Sequence, residues 1–334
     1  MMLLLERLLT GAMVVPFALG AASVPAQERE VEFAFTDERI VESSGLVVMP
    51  DGLFVTVNDS GDEGRLFAVA ANDDGGDTVG VSSWGEATDV EALAPWDRDE
   101  VLVGDIGDNA GERDSVSVLR VPVQRSDRSL EAETFELTYR GGPRDAETLL
   151  VHPVTKRVYV ASKEIFGGTL YAAPQQLRSD RVTRLEPVGP VLSIATDGAF
   201  FPDGKHLVLR DYGRAVVYAF PSLEPVAELE LPEQDQGEGL AVDRDGEVFV
   251  STEGQFTAVL HVTLPALVRK VVSPQAVTAP PASESEAPFP GIQSREGVEL
   301  PETTSTDRPF WPWFLTGWLG LGAIVVLMFS LRRR

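Results

Sequence analysis

Five stretches of this chain repeat one pattern of apolar and polar positions. Each begins with a small or acidic pair, continues as an apolar strand, turns tightly and enters a second apolar strand. They read SSGLVVMPDGLFVTVND from Ser43, DVEALAPWDRDEVLVGD from Asp89, DAETLLVHPVTKRVYVASKE from Asp145, TDGAFFPDGKHLVLRD from Thr196 and GEGLAVDRDGEVFVSTE from Gly237. Aligned on Ser44, Glu91, Glu147, Ala199 and Glu238, they stand 47, 56, 52 and 39 residues apart. Short strands recurring at such periods predict a propeller. The turns PDG at Pro50, PDG at Pro202 and RDG at Arg244 fit tight hairpins.

A third strand follows in every repeat: RLFAVA, SVSVLRVP, GTLYAAP, AVVYAFP and AVLHVTLP. Four repeats add a fourth, near TVGVSSW, TFELTYR, VTRLEPV and PVAELEL. The fifth has none, whereas VEFAFT, Val31 to Thr36, precedes the first repeat without a partner. Placing VEFAFT as the missing outer strand closes the ring. The expected fold is all-β: a five-bladed β-propeller over residues 27–272, sealed by its two ends, with no helix of useful length. The long second and third repeats leave room for six blades.

The flanks differ from this pattern. Residues 1–26 read as a signal peptide, with the apolar run LLTGAMVVPFALGAA followed by SVPAQ, whose Val24 and Ala26 suit a small-residue cleavage site. A retained N-terminal anchor is the other reading. Residues 273–309 are rich in Pro, Ser, Thr and Glu without apolar period, which predicts a disordered stalk. Residues 310–331 form an uncharged apolar run with Trp311, Trp313 and Trp318 near one end, and the basic tail Arg332 to Arg334 follows the other. That is the pattern of a single transmembrane helix with a cytoplasmic tail, leaving the propeller outside the cell membrane.

Composition narrows the partners. Residues 27–272 hold 45 Asp and Glu against 22 Lys and Arg, so −23 of the chain's −24 lies there. A surface this acidic repels phosphate backbones, which disfavours nucleic acid. Most of the charge serves solubility. The chain has no cysteine, so disulfides, thiol catalysis and cysteine metal sites are excluded. No G-x-S-x-G occurs, and His152, His206 and His261 are scattered through the repeats, which leaves no triad and little case for zinc.

Candidate chemistry collects at one end of the propeller. The turn into each innermost strand and the loop after each second strand emerge on the same face. The entry turns carry Ser43 and Ser44, Asp89 and Glu91, Asp145 and Glu147, Asp197, and Glu238. The exit loops carry Asn58 and Asp59, Asp105 and Asp108, Lys163 and Glu164, Arg210 and Asp211, and Glu253. Asp-x-Gly-Asp occurs twice, at Asp59 to Asp62 and Asp105 to Asp108, each time followed by a Gly and an Arg. Crowded carboxylates need a cation or a proton among them, and Ca²⁺ suits oxygen ligands without histidine. The expected metal ligands are Asp89, Glu91, Asp105, Asp108, Asn109, Asp145 and Glu147. Lys163, Glu164, Arg210, Asp211 and Glu253 are the expected ligand contacts. The loop at Asp105 is not an EF-hand, because its sixth position is Ala110 and its twelfth Val116. The competing reading of Asp59, Asp105, Asp211 and Glu253 is that they tie down neighbouring loops through main-chain amides.

ESSGLVV, DVEAL, DAETLLV and GEGLAV, together with GDIGDN, resemble exported bacterial β-propeller proteins of the WD-repeat/NHL-like and phytase-like kind. In phytase-like propellers, carboxylate-held calcium at the channel mouth binds substrate phosphate, so the resemblance implies a calcium mouth and a possible phosphoesterase. Separately, LPETT at Leu300 to Thr304, followed by an apolar span and an arginine tail, resembles the cell-wall sorting signals of Gram-positive bacteria. It implies a sorting enzyme as partner, with Thr304 standing where that family has Gly.

Three functions follow. The first is a cell-surface binding module whose acidic mouth holds Ca²⁺ and a small-molecule, glycan or protein ligand. The second is a hydrolase, a phosphoesterase or a glycosidase using Asp59, Asp145 and Glu238 as acid and base. The third is a structural spacer. Carboxylates converging within about 5 Å favour metal, a wider pair favours the glycosidase, and side chains turned onto loop amides favour the spacer.

Overall fold

In the computed structural model the described residues are 30–59 and 61–273, and they belong to one compact unit. The expected signal peptide, the stalk beyond Ser273, the sorting motif, the membrane helix and the basic tail lie outside them. Among the described residues no helix is long and apolar enough to cross a membrane.

Strand β1 (Glu30–Ala34) comes first. Unit one follows as β2 (Ser43–Val48), β3 (Phe54–Asn58), β4 (Gly64–Asn72) and β5 (Gly75–Gly85). Unit two is β6 (Val90–Asp97), β7 (Glu100–Asp105), β8 (Val116–Pro122) and, beyond the two-residue β9 (Arg128–Ser129), β10 (Glu133–Tyr139). Unit three is β11 (Ala146–Val151), β12 (Val158–Ser162), β13 (Gly168–Ala172) and β14 (Thr183–Val191). Unit four is β15 (Asp197–Phe200), β16 (His206–Arg210), β17 (Arg214–Ala219) and β18 (Glu224–Glu230). Unit five has β19 (Gly237–Val242), β20 (Val248–Thr252) and β21 (Ala258–Val262), and β1 pairs antiparallel with β21 as its outer strand.

Strands within each unit run antiparallel, while β10 and β14 join units two and three through a parallel edge. The innermost strands β2, β6, β11, β15 and β19 neighbour one another in a ring. The fold is therefore all-β and propeller-like. The strand pattern follows from burial: β11, AETLLV, is buried at every position, whereas the outer β10, ETFELTY, alternates. Residues packed on both faces read as apolar runs, and those packed on one face read with period two. The turns need glycine at Gly52 (φ 86°) and Gly246 (φ 85°), a conformation that a Cβ opposes.

Five apolar clusters fill the spaces between successive units. The one that joins unit five to unit one is aromatic. Phe33 of β1 meets Phe54 of β3 edge-on at 4.8 Å, and Phe54 meets Phe249 of β20 at 5.2 Å. Edge-to-face pairs of this kind add about 0.5–1.5 kcal/mol beyond the area they bury. The N-terminal strand thus locks the ring where the chain ends meet. A seven-residue helix, α1 (Ala266–Val272), was not expected; it lays Val268 and Val272 on the cluster between units four and five.

Candidate functional site: the acidic mouth

Four of the five innermost strands pair irregularly where they begin. The register slips between Ser43 and Leu46 in β2, Val90 and Ala92 in β6, Ala146 and Thr148 in β11, and Gly237 and Leu240 in β19. A β-bulge breaks the side-chain alternation and re-aims a residue. The residues in these slips include Ser44, Glu91, Glu147 and Glu238, and all four are buried. In β15 there is no slip: Asp197 pairs directly with Arg210, as Ser43 pairs with Asn58 and Val90 with Asp105. The fourth repeat therefore aligns on Asp197, two residues ahead of Ala199, and has no bulged residue of its own.

Three carboxylates converge between units one and two. Oxygens of Asp59, Asp89 and Glu91 all lie within 4.8 Å of one another. Ser44 Oγ donates to the Glu91 carbonyl at 2.8 Å and faces Glu91 Oε2 at 3.2 Å. Gly107 lies against the cluster so closely that a Cβ there would stand 2.7 Å from Glu91 Oε1 and nearer still to Asp89 Oδ2. A recess of about 10 Å³, lined by Asn58, Asp59, Asp62, Thr88 and Val90, adjoins it. That is the space of about one water or ion.

The cluster continues around the mouth. Glu147 is ion-paired to Lys163 through Oε1, while its buried Oε2 has no hydrogen-bond partner. Gln236 Nε2 donates to Glu253 at 2.6 Å and reaches Glu238 at 3.4 Å. Burial, then Glu147, Asp59 and Asp89, push Glu91 up to about 10. Burial raises Glu147 to about 8 against the pull of Lys163, and raises Glu238 to about 7. Asp89 is raised by burial and by Asp59, and Glu253 by burial and again by Asp59. Burial alone would lower Lys163, but Glu147 outweighs it and holds the ammonium charged.

Other predicted ligands are turned elsewhere. Asp105 accepts the amides of Thr88 (2.9 Å) and Asp89 (3.1 Å) and pairs with Arg113 at 2.8 Å. Asn58 does the same for Val41 and Glu42, so Asn58, and not Asp59, is the counterpart of Asp105. Asp108 accepts the amides of Glu112 and Arg113 and closes its own loop, while Asp145 accepts the amide of Asp108 at 2.9 Å. Asn109 is exposed on that loop. Loops that cross the mouth need acceptors for their amides, and Asp105, Asp108 and Asp145 supply them. Of the three acid–base candidates, Asp59 lies in the carboxylate cluster with Asp89 and Glu91.

Arg210 is a correction to the expected ligand contacts. It was expected to meet ligand, yet it is fully enclosed and donates to the carbonyls of Asp211, Gly239, Ser251 and Tyr212 and to Gln234 Oε1. Asp211 accepts the amides of Gly213 and Arg214, and Glu164 pairs with Arg144 at 3.4 Å. The three histidines are structural: His152 accepts two turn amides, His206 meets Asp203, and His261 bridges Glu30 and Glu247.

Sequence reasoning missed Asp197 as an axial residue. Its Oδ2 accepts the amides of Leu240 in unit five (2.7 Å) and Leu46 in unit one (3.4 Å), and its Oδ1 accepts Gly198 N (2.8 Å). Units four and one are not neighbours in the ring, so this side chain crosses the axis and floors the mouth. It binds the amides of Leu46 and Leu240, where the slipped stretches of β2 and β19 end. Also missed were the exposed side chains on exit loops of the same face: Ile165, Phe166 and Phe256, with Tyr212, whose ring lies 5.5 Å from Lys163 Nζ. Their signal was apolar residues within polar loops.

The geometry defines an all-β, propeller-like protein with a floored, carboxylate-lined mouth. No family model and no curated protein matches the chain. Among solved structures, it is similar to the glutaminyl cyclase of Myxococcus xanthus, with 11% identity over 72% of this chain and 95% of that one and a TM-score of 0.45. It is also similar to a putative 6-phosphogluconolactonase from Bacteroides uniformis, with 16% identity over 67% of this chain and 68% of that one and a TM-score of 0.37.

Proposed function

We propose that this chain is a five-bladed propeller module, anchored at the cell membrane by its C-terminal segment, whose acidic mouth binds a divalent cation and through it an extracellular ligand. The observation that carries the reading is the convergence of Asp59, Asp89 and Glu91 within 4.8 Å. Direct Ca²⁺–oxygen distances of about 2.3–2.6 Å place ligand oxygens at roughly this spacing around one ion. The donor set is all oxygen, as a hard cation prefers. Gly107, having no Cβ, packs directly against Asp89 and Glu91 and holds the two carboxylates beside each other. Asp59, Asp89 and Glu91 would hold the ion, which would supply open coordination positions to ligand oxygens. Phe166, Tyr212 and Phe256 on the surrounding loops favour a ligand, glycan or peptide, with an apolar face, over a spacer role.

The hydrolase reading rests on a different observation, the buried Glu238 poised at about 7, where a carboxyl can act as acid at neutral pH. Loss of glycosidase or phosphoesterase turnover on Glu238→Gln would support it.

The test of the metal reading is thermal unfolding with EDTA and then with millimolar calcium. A ligand at 100 times its Kd stabilises the folded state by about 2.7 kcal/mol. At about 2–4 °C per kcal/mol for a domain this size, Tm rises by about 5–10 °C. Glu91→Gln should abolish the rise. Asp105→Asn should lower Tm with and without calcium and keep the rise, since that residue ties a loop. No rise in the native protein would return the cluster to a solubility role.

A further inference from the structure

The floor at Asp197 divides the axis of the ring into two spaces. Beyond it, toward the turns that follow the innermost strands, lies a cavity of about 400 Å³ to which all five units contribute. Small-molecule sites run to about 300–1,000 Å³. Its wall exposes Val48, Pro95, Trp96, Pro153, Ala199 and Val242. It is a blind funnel, because Asp197 spans the axis between the amides of Leu46 and Leu240 at its inner end.

The outer rim differs in charge from the rest of the domain. Arg98, Lys156 and Arg244 stand there with Asp97 and Asp243. Both carboxylates are turned onto adjacent turn amides, Asp97 onto Arg98 N and Asp243 onto Asp245 N and Glu247 N. Lys156 spends one donor on the carbonyl of Trp96, and Arg244 lies 3.7 Å from Asp245. Arg98 has no carboxylate within ion-pair distance among the described residues. A guanidinium without a carboxylate partner at the lip of an apolar funnel, on a domain with a formal charge of −23, is a recognition feature for an anion.

We propose that this funnel is a second binding site, for a small monomeric amphiphile with a carboxylate head. Its chain or ring fills the apolar funnel, and the carboxylate meets Arg98 and Lys156. The site is independent of the acidic mouth, because Asp197 separates the two. A divalent ion in the mouth therefore leaves funnel affinity unchanged.

The probe is ω-bromoundecanoate, kept below its micelle-forming concentration and added to the full-length chain. Its bromine quenches indole emission on contact, and Trp96 lines the funnel. The expected result is a saturable component of quenching that disappears in Trp96→Phe, is the same in EDTA and in calcium, and weakens by about fivefold or more in Arg98→Gln. The corresponding bromoalcohol should bind as weakly as the Arg98→Gln variant binds the acid. Arg98 lies on an exposed turn, so its substitution should leave the melting curve unchanged. Non-saturable quenching, equal affinity for acid and alcohol, or quenching seen only when the probe is presented in vesicles would overturn the proposal. A saturable component that persists in Trp96→Phe would also overturn it.

Discussion

Asp197→Asn should destabilise the fold more than any single change at the acidic mouth. The carboxylate is fully enclosed and accepts three amides, at 2.7, 2.8 and 3.4 Å. Burial pushes it well above the ordinary carboxylate range, and the amides of Leu240, Gly198 and Leu46 pull it back. Both of its oxygens face N–H donors, which leaves no acceptor for a proton. The group is therefore carried ionised, opposite the fully buried Arg210 with which it is in register. Asparagine keeps the shape but points N–H₂ at an amide N–H and leaves the guanidinium with one less compensating charge. Charge-assisted bonds contribute about 1.5–3 kcal/mol each. The two short bonds, at 2.7 and 2.8 Å, therefore set the expected loss at about 3–6 kcal/mol. Urea unfolding at neutral pH reads it as a lower midpoint at unchanged slope. A loss under about 1 kcal/mol would mean that the carboxyl is neutral in the fold, and the floor would then be held by packing alone.

Two further outcomes are expected. Gly107→Ala places a methyl group against Asp89 and Glu91, so it should cost about 1–3 kcal/mol by overpacking and remove most of the calcium-induced rise in Tm; an unchanged rise would move the ion away from this cluster. His261 bridges Glu30 of β1 and Glu247, which raise it although burial opposes them. Its contribution is complete below its unfolded value of about 6.5 and is lost as pH rises through the higher folded value. Amide exchange in β1 should therefore speed up above neutrality beyond its intrinsic pH dependence, and His261→Gln should remove that excess.

The strands were legible because their signals are local. Runs buried on both faces, alternating outer strands and PDG turns are written within a few residues each, and they recur. The role of VEFAFT followed from a missing strand in the last repeat, and Phe33 shows the packing that rewards it. The acid content of the mouth was equally visible, since entry turns and exit loops must share a face. Which acids meet was not. A bulge adds one residue to one strand, and nothing in DVEAL or DAETLLV distinguishes the slip that re-aims Glu91 and Glu147 from regular pairing. Asp105 and Asp59 both read as exit-loop carboxylates, yet it is Asp59 whose oxygen lies within 4.8 Å of those of Asp89 and Glu91. That choice depends on a single residue of register. Sequence alone determined the composition of each unit and of the mouth, because local pattern and repetition encode both. Only the closed ring decided that Asp197 crosses the axis, that Arg210 is enclosed, and that a blind apolar funnel lies behind the acids, because those contacts join residues 29 to 151 positions apart in sequence.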